Sequence, residues 1–234
     1  MRQLVSELTS HAEEALYSPN DWATHLTMSA ASRSFLAALR EEWLPAEPPD
    51  SFCRAMSDHV QTHLASVYAG WHHLWAHTLR VTGIALALAE ESDIDPAHAY
   101  LMGIFHDAGK LDEMITGAAH ERVGALLIRK ALREEYHPTV IERMANVIAK
   151  LAPPTDSYMH ILYDADKLDK IGAAGILRRL TTRWGASRPT AALRTVSEEM
   201  EDFPAMHFAR SALLTGSKIT YTAEFLQTAQ TIRF

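Results

Sequence analysis

Apolar residues recur three or four positions apart along most of the chain, the period of a helix that buries one side. No convincing run of alternating apolar and polar residues, the mark of a half-buried strand, interrupts them. His77, Val81, Ile84 and Leu88 share one stripe, so the spacing predicts a helix whose inward face begins with an imidazole. Asp95 followed by Pro96 reads as an N-cap with proline in the first helical position; the helix it opens runs to His106 and Asp107, with Gly109 as its stop. A third helix is expected from about Gly117 to Glu135, with His120, Val123 and Leu127 on one side. Pro138 opens a fourth, which buries Ile141, Met144, Ile148 and Leu151 and closes at Pro153 and Pro154. In DSYMHILYDADKLDKIG, the stripe of Met159, Leu162, Tyr163 and Asp166 sets a carboxylate where an apolar residue belongs, which is costly without a partner.

The flanks carry the same period. Residues 1–70 read as two or three helices broken at PAEPPD, WGASRPTAALRTVSEEM as a loop leading into a helix, and the closing residues as helical again. The expected architecture is all-α: a multi-helix bundle with a core over residues 71–185, an N-terminal helical extension over 1–70 packed on it, and C-terminal helices over 186–234 completing the same domain.

Composition narrows the function classes. With 47% hydrophobic and 22% charged residues the chain should fold. A net charge of -7 without a lysine- or arginine-rich run argues against general nucleic-acid binding. Cys53 is the single cysteine, which excludes an internal disulfide and a cysteine-based zinc site and fits a reducing cytoplasm. No apolar stretch reaches membrane-spanning length and the first residues do not read as a signal peptide, so a cytoplasmic, non-membrane protein is expected. The oligomeric state stays open, homo-oligomers included.

The chemistry lies in two imidazoles and two carboxylates, His77, His106, Asp107 and Asp166, drawn from three helical segments. Neutral imidazoles and carboxylates are the ligands of a hydrolytic metal site, and helix bundles build such sites from facing helices. Rival chemistries lack their motifs. There is no GxSxG elbow and no Walker loop; His59 and His63 are four apart, but Val60 stands where a metalloprotease carries glutamate, so that pair reads as surface or packing histidines.

Four segments carry a resemblance: HLWAHTLRV, FHDAGK, HERVGA and DADKLDKIGAAGILR, in this order over residues 71 to 180. Together they resemble the HD-domain superfamily of metal-dependent phosphohydrolases, whose pattern is H…HD…D. The resemblance implies a hydrolase of a nucleotide or other small phosphate ester that works through a metal-activated water. It implies a ligand set of His77, His106, Asp107 and Asp166, with Asp164 open as a replacement or helper of Asp166. Members with two metals use a further histidine in the stretch that here reads NVIAKLAPPT, so one divalent ion is expected: Mn, Fe, Co, Ni, Zn or Mg. Asp107, Lys110 and His120 are the catalytic candidates, and Lys110, Arg80 and Arg122 the candidates for phosphate contact. Bland alternatives stand beside these: a solvated lysine, a structural His120, surface ion pairs for the arginines, including the cluster Arg178, Arg179 and Arg183, and a core position for Trp75. A second class of function is also open, a signalling or binding module with a structural metal and a protein partner.

Overall fold

The computed structural model describes residues 30–67, 71–181, 188–201, 203 and 205–230. Among them the regular structure is helical, without a strand, as the spacing predicts. In chain order the helices are α1 (Ala30–Glu41), α2 (Ser51–Val67), α3 (His72–Ala89), α4 (Pro96–Phe105), α5 (Lys110–Thr116), α6 (His120–Leu132), α7 (Pro138–Ile148), α8 (Ser157–Leu168), α9 (Gly172–Thr181), α10 (Pro189–Glu201) and α11 (Ala209–Gln230). No helix of the described residues is long and apolar enough to cross a membrane. The chain divides into two units, Leu44–Asp166 and the described parts of Met1–Trp43 with Lys167–Phe234.

In the first unit α4 is the hub. Ala97, Ala99, Tyr100, Leu101, Met102, Ile104 and Phe105 are all buried, so the helix is apolar on every side and has neighbours on every side: α2, α3, α6 and α7. Its start is the one read from the sequence, with Asp95 Oδ1 accepting from the Ala97 amide at 2.8 Å and Pro96 in the first turn. The stripe of α3 is buried through Val81, Ile84 and Leu88, and Trp75 joins the core. Asp50 caps α2, just after PAEPPD, by accepting from the Cys53 amide at 2.7 Å.

Three elements depart from the sequence reading. A seven-residue helix, α5, fills the stretch between Gly109 and Gly117, and α6 begins only at His120. The fourth helix stops at Ile148: Lys150 enters the left-handed region (φ 57°), the Leu151 amide turns back to the Asn146 carbonyl at 2.8 Å, and Leu151 is left 73% exposed, not buried. On α8 the buried face is Tyr158, Ile161, Leu162, Ala165 and Leu168 with Asp164 among them, whereas Met159, Tyr163 and Asp166 are half-buried.

In the second unit the Glu42 carboxylate stands at the N-terminus of α9. It accepts from the Ala173 and Ala174 amides at 2.6 and 3.3 Å and from Lys218 Nζ at 2.6 Å, so unfilled helix donors and a buried ammonium share one anion. Phe35 of α1 packs its ring on Tyr221 and Phe225 of α11.

Candidate metal centre

Helix ends leave carbonyls without amide partners, and α4 uses one of them to orient a ring. His106, which caps α4, holds its Nδ1 2.6 Å from the Gly103 carbonyl oxygen. A carbonyl can only accept, so Nδ1 carries the proton and Nε2 presents its lone pair. That Nε2 lies 3.3 Å from Nε2 of His77, which α3 brings to the same spot. Both rings are buried, and burial pushes the His106 pKa down against the opposing charge of Asp107.

Asp107 completes the group. Its Oδ2 is 3.5 Å from His77 Nε2, 3.8 Å from His106 Nε2 and 3.2 Å from Lys110 Nζ. Burial alone would push the carboxyl pKa up; the neighbouring His106, the hydrogen bond from His77 and the Lys110 ammonium outweigh it and hold the group well below the usual carboxylate range. A carboxylate and two imidazole nitrogens thus meet in a buried position.

The spacing suits a cation. Ligand atoms about 2.1 Å from one ion lie no more than about 4.2 Å apart. The three donor-to-donor distances, 3.3, 3.5 and 3.8 Å, fall inside that limit. His77, His106 and Asp107 therefore fit a divalent metal, and the proton on His106 Nδ1 is the orienting bond that such a ligand needs.

Asp166 approaches from α8, with Oδ1 3.6 Å from His77 Nε2 and its side chain 30% exposed, whereas Asp164 is fully buried. His120, first residue of α6, sets Nε2 3.6 Å from Asp107 Oδ1, so the two oxygens of Asp107 face different histidines. Its Nδ1 lies 2.8 Å from Glu113 Oε2 and 3.4 Å from Glu121 Oε2, a second group of potential ligands beside the first. Lys110 opens α5 with its ammonium on Asp107.

Arg80 is buried on α3, and Arg122 is exposed on α6 with no hydrogen bond or ion pair to these groups among the described residues. His63 Nε2 is bonded to Asp112 Oδ2 at 2.9 Å. Arg178 pairs with Asp169 at 3.7 Å and Arg179 with Glu199, while Arg183 lies outside the described residues. Glu113 escaped the sequence reading; its only local signal is a seven-residue spacing to His120, which means nothing until α5 is known to fold back.

Residues 74–171 match the HD domain. The chain carries an HD domain. Its structure is similar to a predicted HD superfamily hydrolase from an uncultured Thermotogales bacterium (22% identity, TM-score 0.59), over 76% of this chain and 91% of that one. It is also similar to Bacillus subtilis YpgQ solved in complex with ADP (18% identity, TM-score 0.60; 77% and 96% covered) and to a second crystal structure of YpgQ (16%, 0.56; 76% and 96%). At these identities the likeness is one of fold. No curated protein matches the chain.

Proposed function

We propose that the protein is a metal-dependent phosphohydrolase of a nucleotide or another small phosphate ester, with one ion held by His77, His106, Asp107 and Asp166. The observation that carries this reading is the buried meeting of His77, His106 and Asp107, whose ligand atoms lie within 4.8 Å of one another. Such a group is costly in an apolar interior unless a cation repays it. Mn, Fe, Co, Ni, Zn and Mg all accept nitrogen and oxygen donors, and geometry selects among them.

A divalent ion bound there supplies Lewis acidity, bringing the pKa of water toward neutrality and drawing charge from a phosphoryl oxygen. Asp107 orients the attacking water through the oxygen that faces His120. Lys110, 39% exposed at the edge of the cluster, offers its ammonium to a phosphate oxygen. As the water oxygen bonds to phosphorus and the ester P–O bond breaks, His120 Nε2 takes the proton from water and returns it to the departing oxygen. The nucleotide class draws support from YpgQ, a protein of this fold solved with ADP.

The test is a metal-supplemented screen of nucleotides and phosphorylated metabolites, comparing wild type with Asp107→Ala. Phosphate or pyrophosphate release that a chelator quenches and the variant lacks supports the proposal. Undiminished hydrolysis by metal-free protein overturns it. Absence of turnover across the panel, with a fold that chelation destabilises, would favour the binding module instead.

A further inference from the structure

His120 has carboxylates facing both of its ring nitrogens, so its proton has to be assigned before it can act. Nδ1 has two neighbours, Glu113 Oε2 at 2.8 Å and Glu121 Oε2 at 3.4 Å. The second is already engaged. Lys150 Nζ lies 2.7 Å from Glu121 Oε1, and this bond, opposed by burial, holds the Glu121 pKa below its ordinary value. Glu113, at hydrogen-bond distance, is therefore the acceptor for Nδ1–H. A carboxylate accepts only, so a neutral His120 keeps its proton on Nδ1 and turns the Nε2 lone pair toward Asp107 Oδ1, 3.6 Å away. Both facing atoms are then acceptors, so Nε2 is free of any bond to Asp107 and can receive a proton from water, the reactant the hydrolysis consumes.

We infer that Glu113 is a positioning residue for His120: it fixes the ring's tautomer and orientation so that Nε2 can take the proton of the attacking water. The inference rests on the hydrolytic reading above.

The fold around α5 supports this role. Asp112 and Glu113 are successive residues, so they point about 100° apart around the helix. Asp112 ties α5 to α2 through His63 at 2.9 Å, and Glu113 ties it to α6 through His120. Gly117, in the left-handed region with φ 72°, ends α5 and lets the chain turn back within three residues to start α6 at His120. The short helix thus carries a clamp on each side, and one clamp is the carboxylate behind the imidazole.

Metal-free protein labelled with 15N-histidine, with His120 assigned through a His120→Gln variant, reads the tautomer directly in long-range 1H–15N spectra. The Nδ1–H form is expected in wild type, in Glu121→Gln and in Glu113→Gln, whose side-chain carbonyl still accepts. Glu113→Ala should lose it. In the metal-loaded enzyme Glu113→Ala should lower kcat about 10- to 100-fold, the cost of removing a supporting carboxylate, with KM unchanged and most of the rate regained in Glu113→Gln. An unaltered tautomer in Glu113→Ala overturns the inference, as does a loss confined to KM. If wild type hydrolyses nothing, the functional reading fails, while the spectra still decide whether Glu113 sets the His120 proton.

Discussion

Gly103 of α4 lies so close to Thr82 of α3 that a Cβ on it would come within 2.6 Å of Thr82 Oγ1 and 2.8 Å of Thr82 Cα. The hydroxyl cannot swing away freely, because it donates to the Thr78 carbonyl at 2.7 Å in a buried position. The same glycine supplies the carbonyl that orients His106. One residue therefore sets the distance between the two helices that carry His77 and His106, and the tautomer of one of them.

Gly103→Ala follows as a prediction. Alanine favours the helix by up to about 1 kcal/mol, but overpacking a tight core contact costs about 1–3 kcal/mol. Net destabilisation in urea unfolding is expected, together with weaker metal binding in calorimetric titration. A midpoint equal to or above wild type would refute the close-contact argument.

A metal that binds only the folded state stabilises it by mass action, by about 2.7 kcal/mol when its free concentration is 100 times Kd. Titrating Mn or Zn into chelator-treated protein should raise the Tm in a saturable way. His106→Ala should abolish the response, and His63→Gln, whose ring serves α5 through Asp112, should retain it. Equal responses from both variants would place the ion elsewhere.

His98 gives the fold a pH dependence away from the metal group. Its Nδ1 sits 2.7 Å from Tyr158 Oη, and Arg143 covers the Tyr158 ring at 3.8 Å. Burial lowers the His98 pKa below 6.5; Asp95 opposes the shift and Arg143 adds to it. The fold thus favours the neutral ring. Its contribution is complete above the unfolded value of 6.5 and is lost as pH falls through the lower folded value. Unfolding free energies measured between about pH 7.5 and 5 should fall more steeply for wild type than for His98→Asn. Parallel curves would contradict the assignment.

The convergence of His77 with the His106–Asp107 pair and the N-cap of α4 were legible because each sits on a long periodic segment or beside a strong capping signal. His77 opens the stripe of an 18-residue helix, and Asp95–Pro96 declares the start of the next. α5 was not legible: seven residues hold barely two turns, too few for a period to stand out, so Glu113 carried no meaning. The C-terminus of α7 failed for another reason. Continuing the stripe to Leu151 assumes an unbroken helix, and the left-handed Lys150 breaks it one residue earlier. On α8 the stripe read from the sequence ends in Asp166, but packing buries the neighbouring face, so Asp164 is the fully buried carboxylate while Asp166 stands at the half-exposed edge beside His77.

Cys53 provides a final test, one of local opening. Its side chain is wholly buried in the first turn of α2, and its pKa is pushed up to about 12 by burial and by the charge and hydrogen bond of Asp50. The thiolate is the reactive form, so the native thiol is both inaccessible and protonated at pH 8. Labelling with a disulfide reagent should then proceed only through opened molecules, fast in denaturant and slower by orders of magnitude in buffer. Asp50 also caps the helix through the Cys53 amide, and losing such a cap costs about 1 kcal/mol, or roughly a fivefold larger open fraction. Asp50→Ala should therefore speed native labelling by at least that factor. Rapid labelling of the wild type would mean that the start of α2 opens independently of the core it packs against.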